Sequence, residues 1–296
     1  MQNKSNYKLV AHMVAIITAI VWGTTFISTK VLLASFSPIE IVIYRFIIGY
    51  FILLLIKPKF IKFQGIRKEF WYLLAGFSGV TIYFLCENIA LTMTSAGNVG
   101  IIVSTAPMFT ALFAFLVLKT ERPSRYFWIG FLLAITGIAL INLNGSDMGL
   151  ANVKGDILAL FAAAVWGVYS VILRKYINTK EDVILNTRRV LFYGILTMIP
   201  CGMMMGTHFD TSLLTIPVNA GNLIFLGILA TAMGYVMWNF ALEHLGVMQA
   251  SAYIYIVPVI TIITSGIILS EKITLQEFIG CVLTVAGLFL SEKRKK

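Results

Sequence analysis

The sequence predicts an all-α integral membrane protein, with ten transmembrane helices arranged as two inverted five-helix repeats. Three observations carry that expectation. Hydrophobic residues make up 59% of the chain and charged residues only 12%, against about 25% charged in soluble domains. The apolar residues fall in blocks of about 20, the length of helix that crosses roughly 30 Å of hydrocarbon. Landmarks of the first half also return in the same order in the second.

Block 9–29 has a basic flank but continues at full spanning length, so it is expected to be a helix rather than a cleaved signal peptide. Block 36–56 contains Arg45, block 70–90 contains Glu87 and Asn88, block 96–118 is centred near Pro107, and block 126–143 carries Gly130 and Gly137. Residues 144–155 are rich in turn formers and divide the chain. The expected units are therefore 1–147 and 148–296. The second series runs 156–174, 183–205, 220–242, 247–269 and 275–291, its ninth and tenth blocks being the least sharply separated. Period-two alternation is lacking, which argues against an outer-membrane barrel.

The repeat is specific. Ala19-Ile20-Val21-Trp22-Gly23 returns as Ala163-Ala164-Val165-Trp166-Gly167, and Arg45 returns as Arg189, both at an offset of 144. Asn88-Ile89-Ala90-Leu91 returns as Asn239-Phe240-Ala241-Leu242 and Pro107 as Pro258, both at 151. Gly130 and Gly137 match Gly280 and Gly287 at 150. Five helices per half is an odd number, so the second half must enter the membrane with the opposite orientation. Inverted halves give a pseudo-twofold axis in the membrane plane, around which a central site can open to either face in turn.

The net charge of +10 is explained by topology. Lys4, Lys8, Lys57, Lys59, Lys62, Arg67, Lys68, Lys119, Arg122, Arg125, Arg174, Lys175, Lys180 and Lys293 to Lys296 crowd one set of alternate loops. Only Lys30, Lys154 and Lys272 fall on the other. The positive-inside bias makes the crowded side cytoplasmic and puts both termini there. The lipid bilayer, including its anionic headgroups, is the expected partner of these charges, and nucleic acid is not. Cys86, Cys201 and Cys281 sit singly in apolar blocks, and His12, His208 and His244 are scattered without metal-ligand spacing. No cofactor is expected, and no Gly-Lys-Ser/Thr phosphate loop suggests an ATP-driven pump.

Several segments resemble one family. Gly155-Asp156 leading to Val165-Trp166-Gly167, the run Gly234-Tyr235-Val236-Met237-Trp238-Asn239, and the stretch from Pro258 to Ser270-Glu271 are similar to EamA-type drug/metabolite transporters. Trp22-Gly23, Tyr44-Arg45-Phe46, Asn88, Pro107 and Glu121 repeat that grammar in the first half, so the likeness runs from about residue 12 to 290. It implies a ten-helix, 5 + 5 inverted-repeat carrier in a bacterial plasma (inner) membrane, usually exporting small metabolites or toxic compounds. Substrate identity does not follow from fold.

Candidate residues each have a packing alternative. Trp22 and Trp166 lie near the middle of their helices, away from the interfaces where Trp commonly anchors. Their indole N–H groups need a partner or a polar cavity, and Gly23 and Gly167 permit close helix packing instead. Tyr235, Trp238, Tyr253 and Tyr255 form a second aromatic group, with Tyr83 and Tyr169 as further entrants to the substrate site. Glu87 reads as a cation-attracting or proton-titrating wall group, or as an interfacial acid facing outward. Asn88 and Asn239 suit interhelical hydrogen bonds, and Arg45 and Arg189 suit a shared structural role. Pro107 and Pro258, at the midpoints of their helices, are expected to kink them and to ease gating. Glu121 and Glu271, just beyond those helices, suit local caps or latches.

The expected function is a secondary transporter exporting a small aromatic, cationic or amino-acid-like molecule by alternating access, with proton coupling open. An amino-acid exporter, or a facilitator without coupling, is the alternative. An intramembrane enzyme is remote, because the apolar blocks hold no nucleophile–base pair, carboxylate pair or metal set.

Overall fold

The structure, a computed structural model, describes residues 2–60, 62–119, 124–142, 150–177, 182–207, 209–245, 250, 252–271 and 273–291. Among these the regular structure is entirely helical. The helical runs are α1 (Gln2–Leu32), α2 (Pro38–Ile56), α3 (Ile66–Met93), α4 (Ala96–Val117), α5 (Arg125–Asn142), α6 (Asn152–Ile177) and α7 (Val183–Met204). After them come α8 (Pro217–Ile224, continuing through Phe225–Met233 to Gly234–Leu245), α9 (Tyr253–Leu269) and α10 (Leu275–Ser291). Six of them, α1 to α4, α6 and α8, contain stretches long and apolar enough to cross a membrane; α5, α9 and α10 contribute shorter apolar helices. The first turns of α7 carry Asn186, Arg188 and Arg189. Glu121 and the boundary expected at 147/148 lie outside the described residues.

Local chemistry sets the helix starts. Ser37 and Glu40 form a reciprocal capping box at α2, with Pro38 in the first turn, where its missing N–H costs nothing. Asp182 accepts from the backbone of Ile184 and Leu185 at the start of α7 and pairs with Lys57. Desolvation pushes the Asp182 carboxyl up, but these hydrogen bonds outweigh it and hold the group below its usual range.

Neither proline sits inside a continuous kinked helix. The chain turns at Ser104 and Thr105, and Pro107 lies in the first turn of a new segment, Ala106–Leu118. Pro258 likewise lies in the first turn of Val257–Thr264, after a 3₁₀ turn at Ala252–Ile256. The expected mid-helix kink is therefore a helix break followed by a restart, which removes the clash and the lost hydrogen bond of an interior proline. Wide π-helical turns occur at matching places in α3 (Phe77–Ile82) and α8 (Phe225–Met233).

Packing is reciprocal between the halves. Helix α1 lies on α8 and α9, as α6 lies on α3 and α4; α2 lies on α8, as α7 lies on α3. Two four-helix bundles result, α1/α2/α8/α9 and α3/α4/α6/α7, each drawing two helices from either half. They touch along α2–α7 and α4–α9. Helices α5 and α10 pair with each other. Small residues allow the close approaches. A Cβ on Gly23 would stand 2.8 Å from Ile260, and one on Gly167 would stand 2.9 Å from the Phe109 backbone. At the α5–α10 crossing, a Cβ on Gly287 would meet the Gly130 carbonyl at 2.5 Å, and one on Gly137 the Gly280 carbonyl at 2.6 Å. The four glycines of the repeat thus meet each other. The outward surface, with Leu55, Leu132, Phe161, Leu196 and Phe289, is apolar and suited to lipid.

Candidate functional site

Where the two bundles face each other they leave a cavity of about 320 Å³. Its walls include Pro107 and Thr110 of α4, Tyr169, Ser170 and Arg174 of α6, Asn186 and Thr187 of α7, and Trp238 and Asn239 of α8. A smaller cavity of about 70 Å³ adjoins it, sharing Trp166, Tyr235 and Ile254 and reaching Trp22, Arg45, Tyr83 and Glu87. The mixture of aromatic walls and a few polar groups is typical of small-molecule sites.

Six of the sequence candidates form one aromatic cluster. The Trp22 ring lies 6.3 Å from Trp166, 6.2 Å from Tyr235 and 5.2 Å from Trp238. Trp166 in turn stands 4.9 Å from Tyr83 and 5.0 Å from Tyr169. The Trp22 indole donates to the Ala230 carbonyl at 3.1 Å, inside the wide turn of α8. Tyr253 and Tyr255 line neither cavity. Tyr253 hydrogen-bonds His12 at 2.6 Å, and Tyr255 packs against Phe289.

The smaller cavity holds opposite charges. Glu87 and Arg45 are each 2% exposed. Glu87 lies beside Tyr83 on the cavity wall and within electrostatic range of Arg45, yet Glu87 and Arg45 do not close into a salt bridge. The Arg45 Nε donates to Thr231 at 3.3 Å and its guanidinium covers the Phe84 ring at 4.4 Å. Arg45 Nη1, Glu87 Oε1 and the Tyr235 hydroxyl are buried without a hydrogen-bond partner among the described residues. Three unsatisfied polar atoms around one cavity present binding capacity to a polar ligand.

The remaining candidates hold helices together. Asn88 donates to the Pro38 carbonyl at 3.0 Å, and Asn239 donates to Thr187 at 3.1 Å. Arg189 does not share the surroundings of Arg45. It pairs with Glu69, which also accepts from Tyr193, and it donates to the Lys62 carbonyl.

The ends of the bundle differ. At one end Lys30 donates to the carbonyls of Leu91 and Thr94 at 2.5 and 2.8 Å, bridging α1 to the end of α3. There Glu271 accepts from the N–H groups of Ala96 and Gly97 at 3.1 and 3.3 Å, bridging the end of α9 to the start of α4. Cation on carbonyls and carboxylate on free N–H groups suit the helix termini they meet. Glu271 is therefore a cross-bundle latch. At the other end Arg174 and Ile177 line the larger cavity, which extends between the bundles. Charge counting alone leaves Lys30 as a topology signal; its 144-residue match to Arg174 would have singled it out.

Comparison with known proteins decides the family. The model for the EamA-like transporter family matches residues 9–143 and again 153–292. The chain belongs to the EamA-like transporter family. An uncharacterized transporter of Archaeoglobus fulgidus is 29% identical over 96% of this chain and 98% of its own length. Uncharacterized transporter YetK of Bacillus subtilis is 25% identical over 85% of this chain and 77% of its own. A solved crystal structure of a protein aligns with a TM-score of 0.66 at 17% identity, over 95% of both chains. That likeness concerns fold alone. The EamA-like chain is thus a membrane protein with a transporter role, and the double match runs through both of its halves.

Proposed function

We propose that this EamA-like protein is a secondary transporter that exports a small aromatic, cationic or amino-acid-like molecule across the plasma membrane by alternating access. The carrying observation is a central cavity latched at one end by Lys30 and Glu271 and lined by Arg174 at the other. In this reading ten helices cross the membrane as inverted repeats, 1–147 and 148–296. The reciprocal packing of α1 with α6, and of α8 and α9 with α3 and α4, supports it. In this reading the Arg174 end and both termini are cytoplasmic, which the crowding of Lys and Arg on that side supports. The protein is then open inward, ready to load substrate from the cytoplasm.

The aromatic cluster supplies the substrate's apolar contacts and Glu87 its cation contact. Arg45 beside Glu87 favours a second reading, an amino acid with its carboxylate toward Arg45 and its ammonium toward Glu87. A thermal-shift screen of purified protein against amino acids, polyamines and quaternary amines, followed by proteoliposome flux, separates these. Stabilisation and flux by quaternary amines alone would reject the zwitterion reading, and flux of none of them would reject the function.

Two results are expected. Alanine in place of Trp22, Trp166, Tyr235 or Trp238 weakens substrate binding by about 0.5–2 kcal/mol for a cationic ligand, with protein still monodisperse. Loss of folded protein would make the cluster a packing core. A cysteine replacing Lys62, in a chain freed of Cys86, Cys201 and Cys281, stays unlabelled by an impermeant maleimide added outside. Ready labelling there would reverse the orientation.

A further inference from the structure

The latch at the closed end has a repeat-related counterpart. Lys30 and Arg174 are 144 residues apart, the offset that relates Trp22 to Trp166. The carbonyls that Lys30 caps belong to Leu91 and Thr94, in and just beyond the last turn of α3. At the offset of 151 that relates Asn88 to Asn239, these become Leu242 and Leu245, in the last turn of α8. The cation and both acceptors of one mouth therefore have counterparts at the other.

The present state uses only one of the two sets. Lys30 is bonded and half-buried, whereas Arg174 is exposed on the cavity wall and makes no hydrogen bond or ion pair among the described residues. Trp238 and Asn239 of α8 line the cavity that Arg174 also lines, so narrowing that mouth brings α6 toward α8. A guanidinium arriving there meets carbonyls at a helix C-terminus, where intrahelical acceptors are spare and the helix dipole favours a cation.

We propose that Arg174 is the cytoplasmic gate residue, capping the Leu242 and Leu245 carbonyls in the outward-open state as Lys30 caps Leu91 and Thr94 in the inward-open one. Each mouth then has one cation capping a helix end across it, with Glu271 as a second arm at the outer one, and breaking either cap frees the bundles to rock. The proposal rests on the alternating-access reading. It goes beyond it in naming the gate residue and its acceptors.

The test uses Ser170→Cys, on the cavity wall, in the background lacking Cys86, Cys201 and Cys281. An impermeant maleimide is applied from the cytoplasmic face of sealed vesicles. Lys30→Gln releases the outer mouth, and cytoplasmic labelling should fall roughly tenfold, the scale of one charged hydrogen bond. Adding Arg174→Gln removes the cap of the competing state, so labelling should return toward its starting rate. Arg174→Lys in the same background should keep it low. If Lys30→Gln slows labelling and Arg174→Gln fails to restore it, Arg174 is not the gate, and alternating access stands. If neither Lys30→Gln nor transported substrate alters labelling, alternating access fails and takes this proposal with it. Should Lys30→Gln not yield folded protein, Glu271→Gln loosens the same mouth from its other arm and replaces it in the comparison.

Discussion

Glu87→Gln should abolish proton-driven accumulation of substrate while leaving downhill exchange measurable. The carboxyl is buried beside Arg45 and Tyr83, with Oε1 lacking a hydrogen-bond partner among the described residues. A carboxylate in that setting is costly unless something neutralises it. A proton can do so, and so can the cationic group of a substrate, so the two compete for one site. Competition of that kind is what couples an antiporter. Glutamine keeps the size and the contact with Tyr83 but cannot change charge. With one proton exchanged per substrate, each unit of pH difference sustains about tenfold accumulation, or 1.4 kcal/mol. In the variant the ratio should collapse to about one. Proteoliposomes with an imposed pH gradient measure both quantities. Wild-type flux that ignores the gradient would make the protein a facilitator. Accumulation persisting in the glutamine variant would move coupling to another residue.

The charge next to Glu87 shows where sequence reasoning stops. Arg45 and Arg189 match at the repeat offset, which suggests a common role. Their surroundings differ because their neighbours do. Arg189 finds Glu69 at the start of α3, whereas the position matching Glu69 at the offset of 151, at the start of α8, is Ala220, which carries no charge. Arg45 lies instead among Thr231, Phe46 and Phe84. A repeat in sequence fixes where a helix position lies, not what the facing helix offers it.

Helix placement was legible because the signal is large. Blocks of about 20 apolar residues have few alternatives in a chain with 12% charge. The aromatic cluster around Trp22 and Trp166 was legible in part, since rings near mid-membrane on repeat-related helices converge. Tyr253 and Tyr255 were expected in that cluster but line neither cavity. The 3₁₀ turn at Ala252–Ile256 places its side chains at three per turn, sending Tyr253 toward His12 and Tyr255 toward Phe289. Nothing in local composition announces that turn, nor the wide turns in α3 and α8. Lys30 matches Arg174 in the sequence, but what Lys30 grips does not show there. Its partners are backbone carbonyls 61 and 64 residues away, and carbonyls leave no mark in a sequence.

Gly287→Leu should remove most of the folded protein, yet leave the transport rate per surviving molecule close to normal. The crossing of α5 and α10 is closed by glycine against glycine. Even a methyl group on Gly287 would stand 2.5 Å from the Gly130 carbonyl and 2.6 Å from the Ala134 nitrogen. Both are backbone atoms, so neither can rotate away as a side-chain tip would. Relief requires parting the helices, and in lipid their association depends on such close packing. A cost of about 3 kcal/mol, the upper part of the overpacking range, is expected. Gly221→Ala is the control, because a Cβ there meets nothing within 4 Å. The prediction separates support from motion. Helices α5 and α10 pair with each other outside the two bundles that carry the cavity and its latch. Thermal unfolding and the monodisperse fraction should therefore suffer far more than flux normalised to folded protein. If normalised flux falls in step with yield, α5 and α10 belong to the moving machinery rather than to its frame. If Gly287→Leu folds as well as Gly221→Ala, the glycine seam is not what holds that crossing.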